Sequence, residues 1–231
     1  MKSKKLVIIP AYNESESIKD TVKEIISKAP DFDYVVVNDC STDNTLQILI
    51  DEGFNYLDLP VNLGIGGAVQ AGYRYAEENG YEIAVQVDGD GQHNPEYLSM
   101  MAEELESSEA GMVIGSRFIE KEGFQSSALR RVGIKYFTGL IKIVTGKTVT
   151  DPTSGLRMIN RKVICEFADK YPRDYPEPES VVAILKHKIK VVEMPVMMRE
   201  RQGGTSSIHM WKSVYYMIKV TIAILIERIR G

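Results

Sequence analysis

The chain has 231 residues, 44% of them hydrophobic and 26% charged; that is enough for one large core and excludes a disordered chain, a collagen-like repeat or a disulfide scaffold. Its net charge of −4 hides a polarity, because residues 1–116 hold 7 Lys/Arg against 21 Asp/Glu and residues 117–231 hold 21 against 11. No basic run is interleaved with stacking aromatics, so nucleic acid is set aside as a partner, and the basic half points to an anionic lipid or phosphate. Cys40 and Cys165 form neither a CxxC pair nor a metal-ligand spacing, which favours a reduced cytoplasmic setting.

The first apolar run, residues 6–9, stops at Pro10 and is too brief for a signal peptide, so it reads as a buried strand. Further strands are predicted at 34–37, 56–59, 83–87 and 112–114. None of them alternates, which implies cover on both faces. Between them, Ile18, Val22, Ile25, Ile26 and Ala29 repeat at helix spacing, as do Ile65, Ala68, Val69, Gly72 and Ala76. Alternating strands and helices predict βαβ units and a mostly parallel sheet, whose ligands collect beyond the carboxyl ends of the strands. Past residue 116 the pattern changes to a helix over about 129–144, a Gly/Pro/Thr-rich turn at 150–155 and a short strand at 191–197.

The longest apolar stretch, residues 214–226, is interrupted by Lys219 and falls short of the roughly 20 residues that cross a bilayer. Residues 208–230 mix Trp211, Tyr215 and Tyr216 with Lys212, Lys219, Arg228 and Arg230. This is the pattern of an amphipathic helix, either lying in a membrane interface or packing in the core or a dimer.

Four of the first five strands end in a polar cluster: Pro10-Ala-Tyr-Asn-Glu14, Asn38-Asp-Cys-Ser-Thr-Asp-Asn44, Asp88-Gly-Asp-Gly-Gln92 and Gly115-Ser-Arg117. Such residues are also ordinary turn and cap formers, but four clusters at one sheet edge exceed that role. Asp39 and Ser41 are the types that accept hydrogen bonds from a nucleobase or ribose. Asp88 and Asp90, with Gln92 behind them, offer oxygen donors to one hard divalent cation that shares its coordination with phosphates. His93 reads as a turn residue or a support for its neighbours. The loop Asn62-Leu-Gly-Ile-Gly-Gly67 opens a helix whose N–H groups could hold an anion, although it lacks both the GxGxxG spacing and a Walker lysine.

These motifs, taken in order, resemble the inverting family 2 glycosyltransferases of GT-A architecture. The second half, with Arg130-Arg131, Asp151-Pro-Thr-Ser-Gly155 and Arg201-Gln-Gly-Gly-Thr-Ser206, resembles the branch that contains dolichyl-phosphate mannose synthases and bacterial polyprenyl-phosphate glycosyltransferases. The resemblance implies an α/β fold with a mostly parallel sheet flanked by helices. It implies one catalytic domain over 1–207, with a nucleotide-sugar half at 1–116 and an acceptor half at 117–207, followed by the amphipathic helix at 208–231. It assigns substrate contacts to Pro10, Tyr12, Glu14, Asp39, Ser41, Asn62, Gly66, Asp88, Arg130 and Ser206, and catalytic roles to Asp90, Arg117, Arg131 and Arg201. Mg2+ or Mn2+ is assigned to Asp88, Asp90 and Gln92. Arginine suits phosphate because its planar fork donates two parallel hydrogen bonds, and Arg199 competes with Arg201 for that role.

The implied reaction moves a hexose from a nucleotide diphosphate sugar, with uridine the first expectation, to polyprenyl phosphate at the cytoplasmic face of the membrane. Peripheral attachment, a homo-oligomer or a membrane-protein partner accompanies that reading. A phosphomonoester acceptor, with its second pKa at about 6, needs no base. A saccharide hydroxyl does, and hydroxyl-acceptor relatives carry a Glu-Asp pair where this chain reads Glu177-Pro-Glu179, which leaves Glu179 as an alternative base. Transfer to such a hydroxyl and a non-catalytic nucleotide-sugar binding module both stand as alternatives. A nucleotidyltransferase fits poorly, since it would carry a Gly-rich, basic loop after the first strand.

Overall fold

A computed structural model describes residues 3–120, 122, 128–173, 176–199 and 210–229, with the backbone alone at 128–130, 210–216 and 227–229. The first half alternates strand and helix as the periodicities require: β1 (Lys5–Ala11), α1 (Ile18–Lys28), β2 (Asp33–Asn38), α2 (Thr45–Asp51), β3 (Tyr56–Asp58), α3 (Gly64–Glu78), β4 (Ile83–Gln86), α4 (Tyr97–Ser107) and β5 (Met112–Ser116). There follow α5 (Ala128–Thr145), β6 (Arg157–Asn160), α6 (Arg161–Asp169), α7 (Pro176–Lys186), β7 (Val191–Pro195) and α8 (Met210–Ile229).

The seven strands form one sheet in the order β3-β2-β1-β4-β6-β5-β7. All neighbours are parallel except β6, which runs antiparallel to both β4 and β5. Successive residues of β1 point to opposite faces. Leu6 and Ile8 join a core covered by α3, α5, α6, α7 and α8, while Val7 and Ile9 join a second core under α1, α2 and α4. Both faces are thus dry, which is why the strands read as unbroken apolar runs.

The sequence did not announce β6. It is four residues long, it opens on an arginine, and its antiparallel register (Val85↔Met158, Val113↔Met158) breaks the βαβ rhythm. Asn160 ends it and caps α6 by accepting from the Val163 N–H at 3.2 Å. Helices α2, α4, α6 and α7 likewise occupy stretches for which the pattern reading named no element.

The strand order reverses at β1. The chain leaves β1 toward β2 and β3, then returns to place β4 on the other side of β1. Connections that diverge in this way open a crevice at the carboxyl ends of β1 and β4, the usual ligand position in open α/β sheets. The polar clusters beginning at Pro10 and Asp88 lie there.

Helix α8 is part of the main packing. Val220 and Ile224 are buried in the same core as Phe137 and Ile141 of α5, and the hydroxyls of Tyr136 and Thr221 meet at 3.0 Å. The inner face of the helix expected at 208–231 therefore belongs to the domain, and only its outer face is left for an interface. Among the described residues, no helix is long and apolar enough to cross a membrane.

The packing of α8 predicts an asymmetric pair of substitutions. Ile224→Ala, at a position with 0% exposure, is expected to cost about 2–4 kcal/mol in chemical denaturation. Ile222→Ala, at 51% exposure, is expected to stay within about 0.5 kcal/mol of the parent. Equal small effects would mean that α8 is not part of the core.

Candidate active site

The loops after β1 and β2 are laced together by side chains acting on backbone. The Asn13 N–H donates to Ser41 Oγ at 3.0 Å, and Asn13 Oδ1 accepts from the Thr42 N–H at 2.8 Å. The Glu14 N–H donates to Thr45 Oγ1 and the Ser15 N–H to Asp43 Oδ2, at 2.9 and 3.1 Å. Burial works against the Asp43 charge, but the hydrogen bonds from Thr45 and Ser15 outweigh it and hold the carboxyl below its usual range. Asn13 and Cys40 both have left-handed backbone, φ 57° and 56°, which lets each loop turn sharply just beyond its strand. Tyr12, 48% exposed, stands at the rim.

Asp39 and Asn62 join the β2 loop to the start of α3. Asp39 is buried, its Oδ1 accepts from the Leu63 N–H at 2.7 Å, and its backbone carbonyl accepts from Asn62 Nδ2 at 3.2 Å. Asn62 Oδ1 in turn accepts from the Gly64 N–H at 3.1 Å. Burial pushes the Asp39 carboxyl up, and the N–H groups of Leu63 and Gly64 offset part of that rise.

The N–H groups of this loop, proposed as an anion cradle, are engaged within the protein. The Gly66 N–H donates to the Arg173 carbonyl at 3.1 Å. A Cβ at Gly66 would lie 2.2 Å from the carbonyl oxygens of Pro172 and Arg173. Gly66 is a packing glycine, and the N–H groups of Leu63, Gly64 and Gly66 already have acceptors within the protein.

The acidic cluster is built around Asp88. Gln86 Nε2 donates to Asp88 Oδ1 at 3.0 Å, and the Asp88 N–H donates to Nδ1 of the buried His93 at 3.0 Å. That acceptor role leaves the His93 ring proton on Nε2, 3.7 Å from Asp88 Oδ2. His93 thus supports Asp88, as its residue type suggested. The Gly89 carbonyl accepts from Ser17 Oγ and Thr21 Oγ1 at 2.8 and 3.2 Å, which fixes the loop to α1. Asp90 is buried, and its Oδ1 accepts from the Gln92 N–H at 3.0 Å. The Gln92 carbonyl accepts from the Arg199 N–H at 3.0 Å, and Gln92 Nε2 donates to the Arg199 carbonyl at 3.3 Å, so Oε1 is the atom of this side chain that could coordinate a cation.

Two carboxylates and an amide oxygen fit a hard divalent cation. Asp88 keeps 34% of its side chain open. No group of three or more His, Cys, Asp or Glu residues able to hold a metal occurs among the described residues. An ion held here would therefore have to complete its shell with water or ligand oxygens, as Mg2+ and Mn2+ do on substrate phosphates.

The arginines are placed differently from what their residue type suggested. Arg117 is forked onto the buried Asp151, with Nε to Oδ2 at 2.7 Å and Nη2 to Oδ1 at 2.8 Å; Nη2 also reaches Thr153 Oγ1 at 3.1 Å. The N–H groups of Thr150 and Asp151 donate to the Glu193 carboxylate at 2.7 and 2.8 Å. Arg117, read from the sequence as a phosphate ligand, is thus the clamp of the 150–155 loop. Arg199 is forked onto Glu24 at 2.7 and 2.9 Å, so its guanidinium is engaged by a carboxylate of the protein. Arg131 is exposed on α5. The Arg130 side chain, Arg201 and Ser206 lie outside the described residues.

Sequence reasoning missed Arg157. It is 1% exposed and donates from Nε to the Ser154 carbonyl, from Nη2 to the Pro152 carbonyl, and from Nη1 to Ser180 Oγ and the Glu177 carbonyl. It therefore anchors both the loop that ends at Gly155 and the first turn of α7. A Cβ at Gly155 would stand 2.8 Å from Asp88 Oδ2, so only glycine lets this loop lie against the carboxylate. Glu177 and Glu179 share the first turn of α7. Burial pushes the Glu177 carboxyl up against the pull of Arg157, and the negative charge of Asp88 adds to the rise. Glu177 is thus coupled to the acidic cluster through the charge of Asp88.

Residues 6–167 match glycosyl transferase family 2. The chain belongs to that family. It is a glycosyltransferase of GT-A architecture. The undecaprenyl-phosphate mannosyltransferase of Micrococcus luteus is 30% identical over 211 residues, covering 87% of this chain and 86% of the relative. The polyprenol monophosphomannose synthase of Mycolicibacterium smegmatis is 28% identical, over 87% of this chain and 79% of the relative. The UDP-N-acetylglucosamine–dolichyl-phosphate N-acetylglucosaminyltransferase of Methanococcus voltae is 28% identical, over 82% and 83%. Among solved structures, glucosyl-3-phosphoglycerate synthase from Mycobacterium tuberculosis, in complex with Mn2+, UDP and phosphoglyceric acid, superposes with a TM-score of 0.75 at 18% identity, covering 98% of this chain and 78% of that one. This last likeness speaks to the fold. An open groove lined by Phe32, Asp33, Tyr34 and Tyr81 lies at the opposite ends of the strands and shares no residue with the site.

Two outcomes follow from this geometry. A carboxyl with a raised pKa favours the folded state while protonated and costs stability once the pH passes that pKa. Asp39→Asn keeps an oxygen for the Leu63 N–H without the buried charge, so its melting temperature should equal or exceed the parent's at neutral pH. The gain should shrink as the pH falls through the carboxylate range, and a variant that is less stable at neutral pH but equal in acid would contradict the burial argument. Gly155→Ala, which drives a methyl into Asp88, should lower transfer on the order of a hundredfold in steady-state assays while the fold persists.

Proposed function

We propose that this glycosyltransferase moves a hexose from a nucleotide diphosphate sugar, with UDP the preferred carrier, onto polyprenyl phosphate at the cytoplasmic membrane surface, with inversion at the anomeric carbon. The observation that carries the reading is the Asp88–Asp90 pair at the strand-order reversal, opposite the laced loops after β1 and β2. The acceptor class is supported by relatives whose names specify undecaprenyl, polyprenol and dolichyl phosphates. Residues 1–116 form the donor half, 117–207 the acceptor half, and the outer face of 208–231 the membrane-facing part.

In this reading the nucleoside lies against Pro10, Tyr12, Asp39 and Ser41, with Glu14 and Asn62 holding the loops that shape its pocket. Asp88, Asp90 and Gln92 would hold Mg2+ or Mn2+, which supplies Lewis-acid neutralisation of the departing diphosphate when bound. Gln86, His93 and Gly155 fix where Asp88 stands, so the carboxylate meets the diphosphate end without reorganising. An acceptor phosphate oxygen attacks the anomeric carbon as its bond to the diphosphate breaks. The acceptor is already anionic at neutral pH, so the site's task is orientation and charge neutralisation. Arg130, Arg131, Arg201 and Ser206 are assigned to the phosphates, and Arg117 keeps the 150–155 loop in register through Asp151.

Incubating purified protein with Mn2+, a panel of nucleotide sugars and a short polyprenyl phosphate, read by mass spectrometry of the lipid, should give a single glycosylated lipid phosphate. Product formed with an oligosaccharide alone would move the assignment to a saccharide hydroxyl acceptor. Asp90→Asn is expected to lower transfer by at least about a hundredfold. Full activity of this variant in the presence of EDTA would remove the metal assignment.

A further inference from the structure

We infer, on the reading that Asp88, Asp90 and Gln92 hold the divalent cation, that Glu24 of α1 is a positioning residue for that site: through Arg199 it sets which atom of Gln92 faces the ion. Ser17, just before α1, and Thr21, Glu24 and Lys28 within it recur at steps of four, three and four residues, so they share one face of the helix. Each of them grips the loop after β4 or the segment packed behind it. Ser17 Oγ and Thr21 Oγ1 donate to the Gly89 carbonyl at 2.8 and 3.2 Å, and Lys28 Nζ donates to Glu96 Oε1 at 2.7 Å. Between these two anchors, the Glu24 carboxylate accepts from both Nη groups of Arg199.

Arg199 belongs to the segment that follows β7. The Val196 N–H donates to the Ser116 carbonyl at 3.0 Å and the Met197 N–H to Tyr97 Oη at 3.2 Å, while Val196 and Met198 are buried in the core under α1, α2 and α4. Both backbone polar groups of Arg199 then meet Gln92, the N–H at the Gln92 carbonyl and the carbonyl at Gln92 Nε2. A carbonyl oxygen can only accept, so it selects the amide rotamer that turns Nε2 toward Arg199 and Oε1 away from it. The opposite rotamer would present an N–H donor to the cation. The Gln92 N–H also donates to Asp90 Oδ1 at 3.0 Å, so a shift of Gln92 is passed to the carboxylate beside it. The side chains of Arg199 and Glu24 remain 37% and 27% exposed, and an ion pair that open to water contributes little to global stability. What its two-pronged geometry contributes is direction, which holds the Arg199 backbone against Gln92.

The test is titration of the full chain with Mn2+ in the presence of UDP, the free ion being read by electron paramagnetic resonance, with metal-free melting temperatures measured in parallel. Glu24→Ala and Arg199→Ala should each weaken Mn2+ binding by about tenfold, as removal of a group that orients a metal ligand does. The double variant should lose no more than either alone, because both act through one contact. The exchanged pair, Glu24→Arg with Arg199→Glu, should recover most of the loss. Lys23→Ala breaks the 2.8 Å ion pair between α1 and Glu52 and should leave Mn2+ binding as it is in the parent. Melting temperatures should stay close to the parent's throughout. Undiminished binding by both single variants, or an equal loss in Lys23→Ala, overturns the inference and leaves the metal site standing. A loss that the exchanged pair does not recover and that comes with a matching fall in melting temperature overturns it as well, since the pair is then merely structural. Absence of Mn2+ binding by the parent with UDP removes the metal assignment, and the role of Glu24 with it.

Discussion

The reversal of strand order at β1 is the constraint on which the site depends. With β2 on one side and β4 on the other, the chain leaves the carboxyl ends of β1 and β4 in opposite directions. The gap between them can be filled only by polar loops or by ligand. Each loop spends its backbone groups on its neighbour: Asn13 and Glu14 on the β2 loop, Gly89 on α1, Leu63 on Asp39. Little backbone freedom remains, so the side chains that face the crevice are held before any ligand arrives, and ligand binding does not have to supply that ordering.

The 150–155 loop is built on a different principle, buried charge. Arg117, Asp151 and Glu193 form a linked set around the 150–155 loop, and Arg157 binds the carbonyls of Pro152, Ser154 and Glu177 from beneath. A charge taken out of water is tolerable only when nearly all its hydrogen-bonding capacity is met, and Arg157, which donates from Nε, Nη1 and Nη2, satisfies that condition. The result is a loop held from several sides, which keeps Gly155 against the Asp88 carboxylate. In a GT-A glycosyltransferase this links the two halves of the chain mechanically at the acidic pair.

Helix α8 shows how one segment serves two surfaces. Val220 and Ile224 close the core beneath it, while Ile218, Ile222 and Leu225 on its other side stay open. Here the inner half is satisfied by α5 and α7, and the outer half is left over.

Much of the fold was legible in the sequence because both sheet faces are dry: the strands are continuous apolar runs, and the helices repeat at 3.6 residues. The family was legible as well, since metal and nucleotide chemistry restricts which residues can follow β1, β2 and β4. Strand β6 was illegible, because four residues opening on Arg157 carry no periodicity, and its antiparallel insertion is decided by the gap between β4 and β5. Which arginine meets a phosphate was equally hidden. A guanidinium suits a ligand phosphate and a protein carboxylate equally well, and only the tertiary structure shows that Arg117 faces Asp151 and Arg199 faces Glu24. Gly66 likewise looked like a ligand-cradling glycine until the carbonyls of Pro172 and Arg173 came to lie against it. Sequence by itself determined the chemistry available at the strand ends, because residue type limits what an atom can donate, accept or coordinate. The tertiary structure decided which of those groups are already used by the protein, because that depends on distant segments, such as those holding Glu24 and Arg199, meeting in space.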